Sequence, residues 1–148
     1  MLTAAKALHA RSVAPKLGGP VGASEAEIAK LEGRLGFSLP TTYREYLGWM
    51  GRDFEGIFRG SNWFISDLES NKEVLKGLLE EVGSRYEVTP SNLVFFTHQG
   101  YMAAWFDSAK NEADPECWYI NDGMQAPAIS GKFTEVLLAD LTGLSSCL

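Results

Sequence analysis

Cysteine and histidine are both scarce in this chain, with two of each among 148 residues. Zinc sites need such side chains in clusters. Cys117 and Cys147 have no CxxC spacing, and neither His9 nor His98 has another plausible ligand nearby in sequence, so no metal or cofactor is expected. Cys147 is the penultimate residue, and chain ends are usually loose, so a structural disulfide is not expected and the thiols point to a reducing compartment. No apolar run approaches the ~20 residues of a membrane helix. Basic residues are outnumbered 13 to 19, giving a net charge of −6 and a pI near 4.9. A phosphate-backbone binder needs a basic face, so direct nucleic-acid binding is disfavoured and a basic protein partner is allowed.

The composition is otherwise that of a globular protein. Apolar residues make up 45% and charged residues 22%, which excludes disorder and low complexity. The length corresponds to one domain, which at this size buries roughly 70% of its extended-chain surface and needs no staple. The first 24 residues carry Lys6, Arg11 and Lys16 but no acid. Such a start can mimic a transit peptide; a secretory signal fits worse, because Lys6, His9 and Arg11 interrupt any apolar core. The reading adopted is an extension over 1–22, a short helix through Leu2, Ala5 and Leu8 with a Pro15 to Gly22 linker, followed by a domain over 23–148.

Ser24-Glu25-Ala26-Glu27 has the capping-box pattern, Ile28, Leu31 and Leu35 line one face behind it, and Gly36 supplies a left-handed stop. A second helix opens at Pro40, with Tyr43, Tyr46, Leu47 and Met50 at helical spacing and Gly51 as the stop. Phe54 to Phe58 and Asn62 to Ile65 read as short strands around Arg59-Gly60-Ser61. A third helix is expected over Asn71 to Val82, then strands over Leu93 to Thr97 and Tyr101 to Phe106. Asp107 to Pro115 reads as a loop. Cys117 to Ile120 and Gln125 to Ile129 flank the hairpin signal Asn121-Asp122-Gly123. Ser130 can cap a last helix with Phe133, Val136, Leu137 and Leu141 inward. The order α-α-β-β-α-β-β-β-β-α predicts a single α+β domain, with a mostly antiparallel sheet of about six strands packed against helices.

The front of the chain resembles the opening of the SUKH superfamily, which includes the fungal Smi/Knr-type regulators and many bacterial immunity proteins. The residues that carry the likeness are Ser24 to Ile28, Leu31-Glu32, Leu35-Gly36, Leu39-Pro40 and Tyr43 to Leu47. Asn62-Trp63, Leu93 to Phe96, Tyr101 and Phe133 to Leu137 extend it over roughly 22 to 141. The resemblance implies a domain without catalytic machinery whose bacterial members bind and neutralise a toxin, frequently a nuclease, in the producer cytoplasm. Many relatives have Asn-Gly after the second helix; here Met50-Gly51 stands, so no role of that asparagine carries over.

Enzyme signatures are mostly missing. Ser61 follows Gly60, but Trp63 occupies the second glycine position of GxSxG; Gly131-Lys132 lacks the leading glycine and the Ser/Thr of a P-loop. His98 reads as a turn residue and Cys117 as a small buried hydrophobe. Both alternating sets of the two central strands are apolar, so those strands are either covered on both faces or present one to a partner. Acidic residues that could steer a basic partner are Asp53 and Glu55, and Asp107, Glu112, Asp114 and Glu116 around one loop. Trp63 and Trp118, near expected turns or strand ends, are candidate interface anchors.

The expectation is therefore an immunity protein, monomeric or weakly dimeric, that occludes a cognate protein toxin without membrane or cofactor. The alternative is a scaffold or regulatory adaptor with an endogenous partner, disfavoured by the short N-terminal segment; a carboxylate-pair hydrolase comes third.

Overall fold

The computed structural model describes residues 1–52, 58 and 60–148. Its sheet has five strands in the simple order β1 to β5: Ser61–Asn62, Asn92–His98, Met102–Asp107, Glu116–Asn121 and Ala128–Lys132. Every neighbouring pair is antiparallel. The expected α+β class holds, with five strands against the six expected. Most of the strand expected over Phe54 to Phe58 lies outside the described residues, where Asp53, Glu55 and Arg59 also fall. The next one shrinks to β1, because Ile65–Asp67 turns into a 3-10 segment that feeds the middle helix.

Among the described residues six α-helices accompany the sheet: α1 Thr3–Leu8, α2 Ala14–Leu17, α3 Glu25–Leu35, α4 Thr41–Met50, α5 Leu68–Glu81 and α6 Phe133–Ser146. α5 lies on one face of the sheet, where Leu75, Leu78 and Leu79 pack on Val94, Ala103, Trp105 and Ile120. The other face is covered by α3, α4 and α6, whose Ile28, Tyr43, Tyr46, Leu47, Phe133 and Leu137 meet Phe95, Ala104, Phe106 and Cys117. Burial on both sides explains why β2 and β3 lack a polar alternation. Buried Asn71 ties α5 to the sheet: its amide donates to the carbonyls of Asn62 (3.0 Å) and Val94 (3.2 Å), and its oxygen accepts from Thr97 Oγ1 at 2.8 Å. No polar group of that side chain is left to bury unsatisfied.

Local chemistry sets the helix ends. Ser24 Oγ accepts from the Glu27 amide at 3.2 Å while the Glu27 carboxylate accepts from the Ser24 amide at 3.2 Å, so the capping box is formed. Gly36 adopts φ 76°, the left-handed stop expected of it. Gly51, by contrast, is right-handed (φ −73°); it is glycine for space, since a Cβ would stand 2.6 Å from the Leu47 carbonyl oxygen. Ser130 does not cap α6; its hydroxyl donates to the Cys117 carbonyl at 3.3 Å. The cap comes from Glu135, which accepts from the Lys132 amide at 2.9 Å, and from Asp114.

The N-terminal segment is ordered further than the sequence suggested. A π-helical turn, His9–Val13, joins α1 to α2, so the helical path runs through Pro15, which sits in the first turn of α2. Leu2, Ala5 and Val13 are buried in the main core. Buried His9 meets Trp49 edge-on at 5.5 Å. Gly22 brings the following strand of chain against α4 so closely that a Cβ would lie 1.9 Å from the Gly48 carbonyl oxygen.

Candidate functional site

Strand register places Val94, Trp105, Trp118 and Ile129 side by side across β2, β3, β4 and β5. They share one face because cross-strand partners point the same way. α5 packs on β2 and β3, so it covers Val94 and Trp105. Past its rim the same row emerges: Trp118 is half-buried and Ile129 is 55% exposed on the outermost strand. Tyr86, Val88 and Met124 pack beside the row. Tyr86 is fixed by its hydroxyl, which accepts from the Trp105 indole at 3.0 Å and donates to Asn92 Oδ1 at 3.0 Å. The product is a rigid apolar step along the free edge of the sheet.

Two of the sequence-predicted carboxylates border that step. Alternation along β4 puts Glu116 on the face of Trp118, and alternation along β3 puts Asp107 on the face of Trp105. Asp107 also accepts from the Ala109 amide at 3.0 Å, which turns the chain into the loop that follows. Glu112 pairs with Lys132 at 3.5 Å, and Lys132 stands opposite Glu116 across the β4–β5 ladder. Asp107, Glu112, Glu116 and Trp118 therefore gather around one end of the sheet.

The other predicted residues do not join them. Trp63 has no exposed surface; it stacks on Phe58 at 5.1 Å and contacts Phe95 and Phe96, so it is a core side chain and offers no anchor from the surface. Asp114 is occupied internally: it accepts from Thr42 Oγ1 (3.2 Å), the Thr134 amide (3.1 Å) and Thr134 Oγ1 (2.6 Å), joining α4 to α6. Asp53 and Glu55 lie outside the described residues. Sequence reasoning missed Ile129, Tyr86, Val88 and Met124 as members of the face. Ile129 was placed in a strand, but nothing in its spacing says that this strand ends the sheet.

The model of the SMI1 / KNR4 family (SUKH-1) matches residues 22–139, a span that runs from the chain entering α3 into α6. The chain belongs to the SMI1 / KNR4 family (SUKH-1). No curated protein is significantly similar to it.

Within this SUKH-1 domain two arrangements that could do covalent chemistry, Cys117 and the Ser61–His98 pair, are placed unfavourably. Cys117 is fully buried, and its thiol is pushed well above the ordinary range by burial, then by the nearby carboxylates of Asp114, Glu112 and Glu116. Ser61 Oγ lies 2.7 Å from His98 Nδ1, the geometry of a nucleophile and base. The two residues are directly opposed in the β1–β2 ladder, however, and the imidazole also meets the Tyr101 ring in a T-shaped pair at 5.4 Å. A triad needs a third group to orient the base, and among the described residues none is hydrogen-bonded to His98 for that role. His98 is thus a strand-end residue with a partner, rather than the turn residue expected. Among the described residues no group of three or more His, Cys, Asp or Glu side chains could hold a metal, and no helix is long and apolar enough to cross a membrane.

Proposed function

We propose that this SUKH-1 protein is an immunity protein that binds a cognate protein toxin and neutralises it by covering its working surface. Docking is assigned to the β4–β5 face. The observation that carries this reading is the Trp118–Ile129 step, an apolar surface on the rigid rim of a sheet, bordered by Glu116 and Asp107. Tryptophan on a preformed surface anchors interfaces at low entropic cost, and a charged rim sets orientation and on-rate. A chain of net charge −6 favours a basic partner, and a nuclease, whose substrate is a polyanion, has such a surface. Neutralisation by occlusion takes place where the toxin is made, so the producer cytoplasm is the compartment assigned. A stable complex calls for an interface of ~1,600 Å².

The test is genetic and then biochemical. The neighbouring upstream reading frame is expressed in a susceptible host with and without this protein. Rescue of growth and a co-purified 1:1 complex are expected; Trp118→Ala and Ile129→Lys should each weaken that complex at least tenfold. A neighbour that kills equally in both cases, or no complex between the two, overturns the reading.

A further inference from the structure

On the opposite face of the same sheet edge, α6 stands off the strands and leaves an open cleft of about 200 Å³. Its floor is Phe96, Met102, Ala104 and Tyr119, its wall is Val136, Ala139 and Asp140, and Ser130 of β5 closes the outer side. All but Ser130 and Asp140 are apolar or aromatic, and the Ser130 hydroxyl is already donated to the Cys117 carbonyl. Asp140 is the charged residue of this lining; it is mostly buried yet takes part in none of the ion pairs among the described residues. The indole N–H of buried Trp63 lies on its side and favours the carboxylate, but less than burial disfavours it. Burial dominates, and lifts the Asp140 carboxyl from 3.8 to about 6. At neutral pH a mostly ionised carboxylate therefore sits at the wall of an apolar cleft with no counter-charge, a costly arrangement that a cation would relieve.

We propose that this cleft receives one arginine or lysine side chain of the protein partner, the apolar stem lying on Met102, Tyr119 and Val136 and the cationic head meeting Asp140. Long basic side chains combine such a stem with a charged end, so they match both parts of the site. The lone carboxylate selects the sign of the charge, and the apolar floor selects a stem over a hydrated inorganic ion. The choice of a protein as the source rests on the immunity reading: Ile129 and the cleft flank the exposed strand β5 on opposite faces, so a partner that grips this edge reaches both.

The experiment needs no toxin. ¹⁵N-labelled protein is titrated with N-acetyl-arginine amide and, separately, with N-acetyl-citrulline amide, a neutral molecule of nearly the same shape. The arginine compound is expected to shift the Trp63 indole and the Ala139 and Asp140 amides with millimolar affinity, and the citrulline compound to bind at least fivefold more weakly. Asp140→Asn should bring the arginine compound down to the citrulline level, and Ala139→Leu, which fills the cleft from an exposed position, should block both. Equal affinity for the two compounds, shifts elsewhere on the surface, insensitivity to Asp140→Asn, or no saturable shift up to the solubility of the ligand would overturn the proposal. A failed growth rescue leaves this titration intact, and a failed titration leaves the rescue result standing.

Discussion

Asp114 and Asp140 are both carboxylates at the margin of the core, and their neighbours give them opposite tasks. Asp114 meets three donors and holds the start of α6 against α4. Asp114→Ala removes a helix-capping acceptor and leaves Thr134 short of a partner, while Thr42 Oγ1 keeps the Ala113 carbonyl, so urea unfolding should show a loss of about 1–3 kcal/mol. Asp140 meets no cation among the described residues, and burial raises its pKa to about 6. A raised carboxyl binds its proton more tightly when folded, so its contribution to stability is present below the unfolded value near 4 and is lost as pH rises through 6. Asp140→Asn should accordingly match the parent at pH 4 and exceed it by about 1–2 kcal/mol at pH 7.5, a figure reduced for partial solvent screening. Buried His9 acts in the other direction. Its pKa is lowered by desolvation, so its share of stability is intact above 6.5 and declines as pH falls below it.

β5 is where an element's position, rather than its composition, makes the difference. Its strand ladder with β4 carries a bulge between Cys117 and Trp118, and Ala128, Ile129 and Ser130 are all exposed. Trp63 and Ile129 make the contrast measurable. Trp63→Ala empties a fully buried site and should cost about 3–5 kcal/mol in denaturant unfolding. Ile129→Lys sits on open surface and should change stability by less than about 0.5 kcal/mol. If both substitutions destabilise equally, the β4–β5 face is part of the core. The N-terminal helices give a second case at this scale. Gly22→Ala forces the connecting chain off Gly48 of α4 and should lower stability by about 1–3 kcal/mol, read as a drop in Tm.

For the whole molecule, the excess of acidic side chains predicts how it meets a partner. Association with a basic protein partner should slow steeply as salt rises from low to physiological ionic strength, while dissociation changes little, because screening acts on the encounter between charged surfaces. Stopped-flow measurement at several salt concentrations separates the two rates; a salt-independent on-rate would assign binding to the apolar step alone.

Much of this architecture could be read from spacing. The capping box at Ser24 and Glu27, the helical stripe of Tyr43, Tyr46, Leu47 and Met50, and the doubly apolar strands around Phe95 and Trp105 are local patterns, and local patterns are set by 3.6- and 2-residue periods and by a few hydrogen bonds. Those determined the helices, the antiparallel sheet and the covered core. What only the tertiary structure decided was which side chains remained at the surface. Trp63 and Trp118 look alike in sequence, yet one is sealed beneath Phe58 and α6 closes over the same core, while the other lies beyond the reach of α5. Asp114 and Glu116 are two residues apart, and one is consumed by Thr42 and Thr134. Asp140 reads as an ordinary helix carboxylate until the gap between α6 and the sheet strips away its water. Solvent access and pairing depend on groups far apart in the chain, and no window along the sequence contains them.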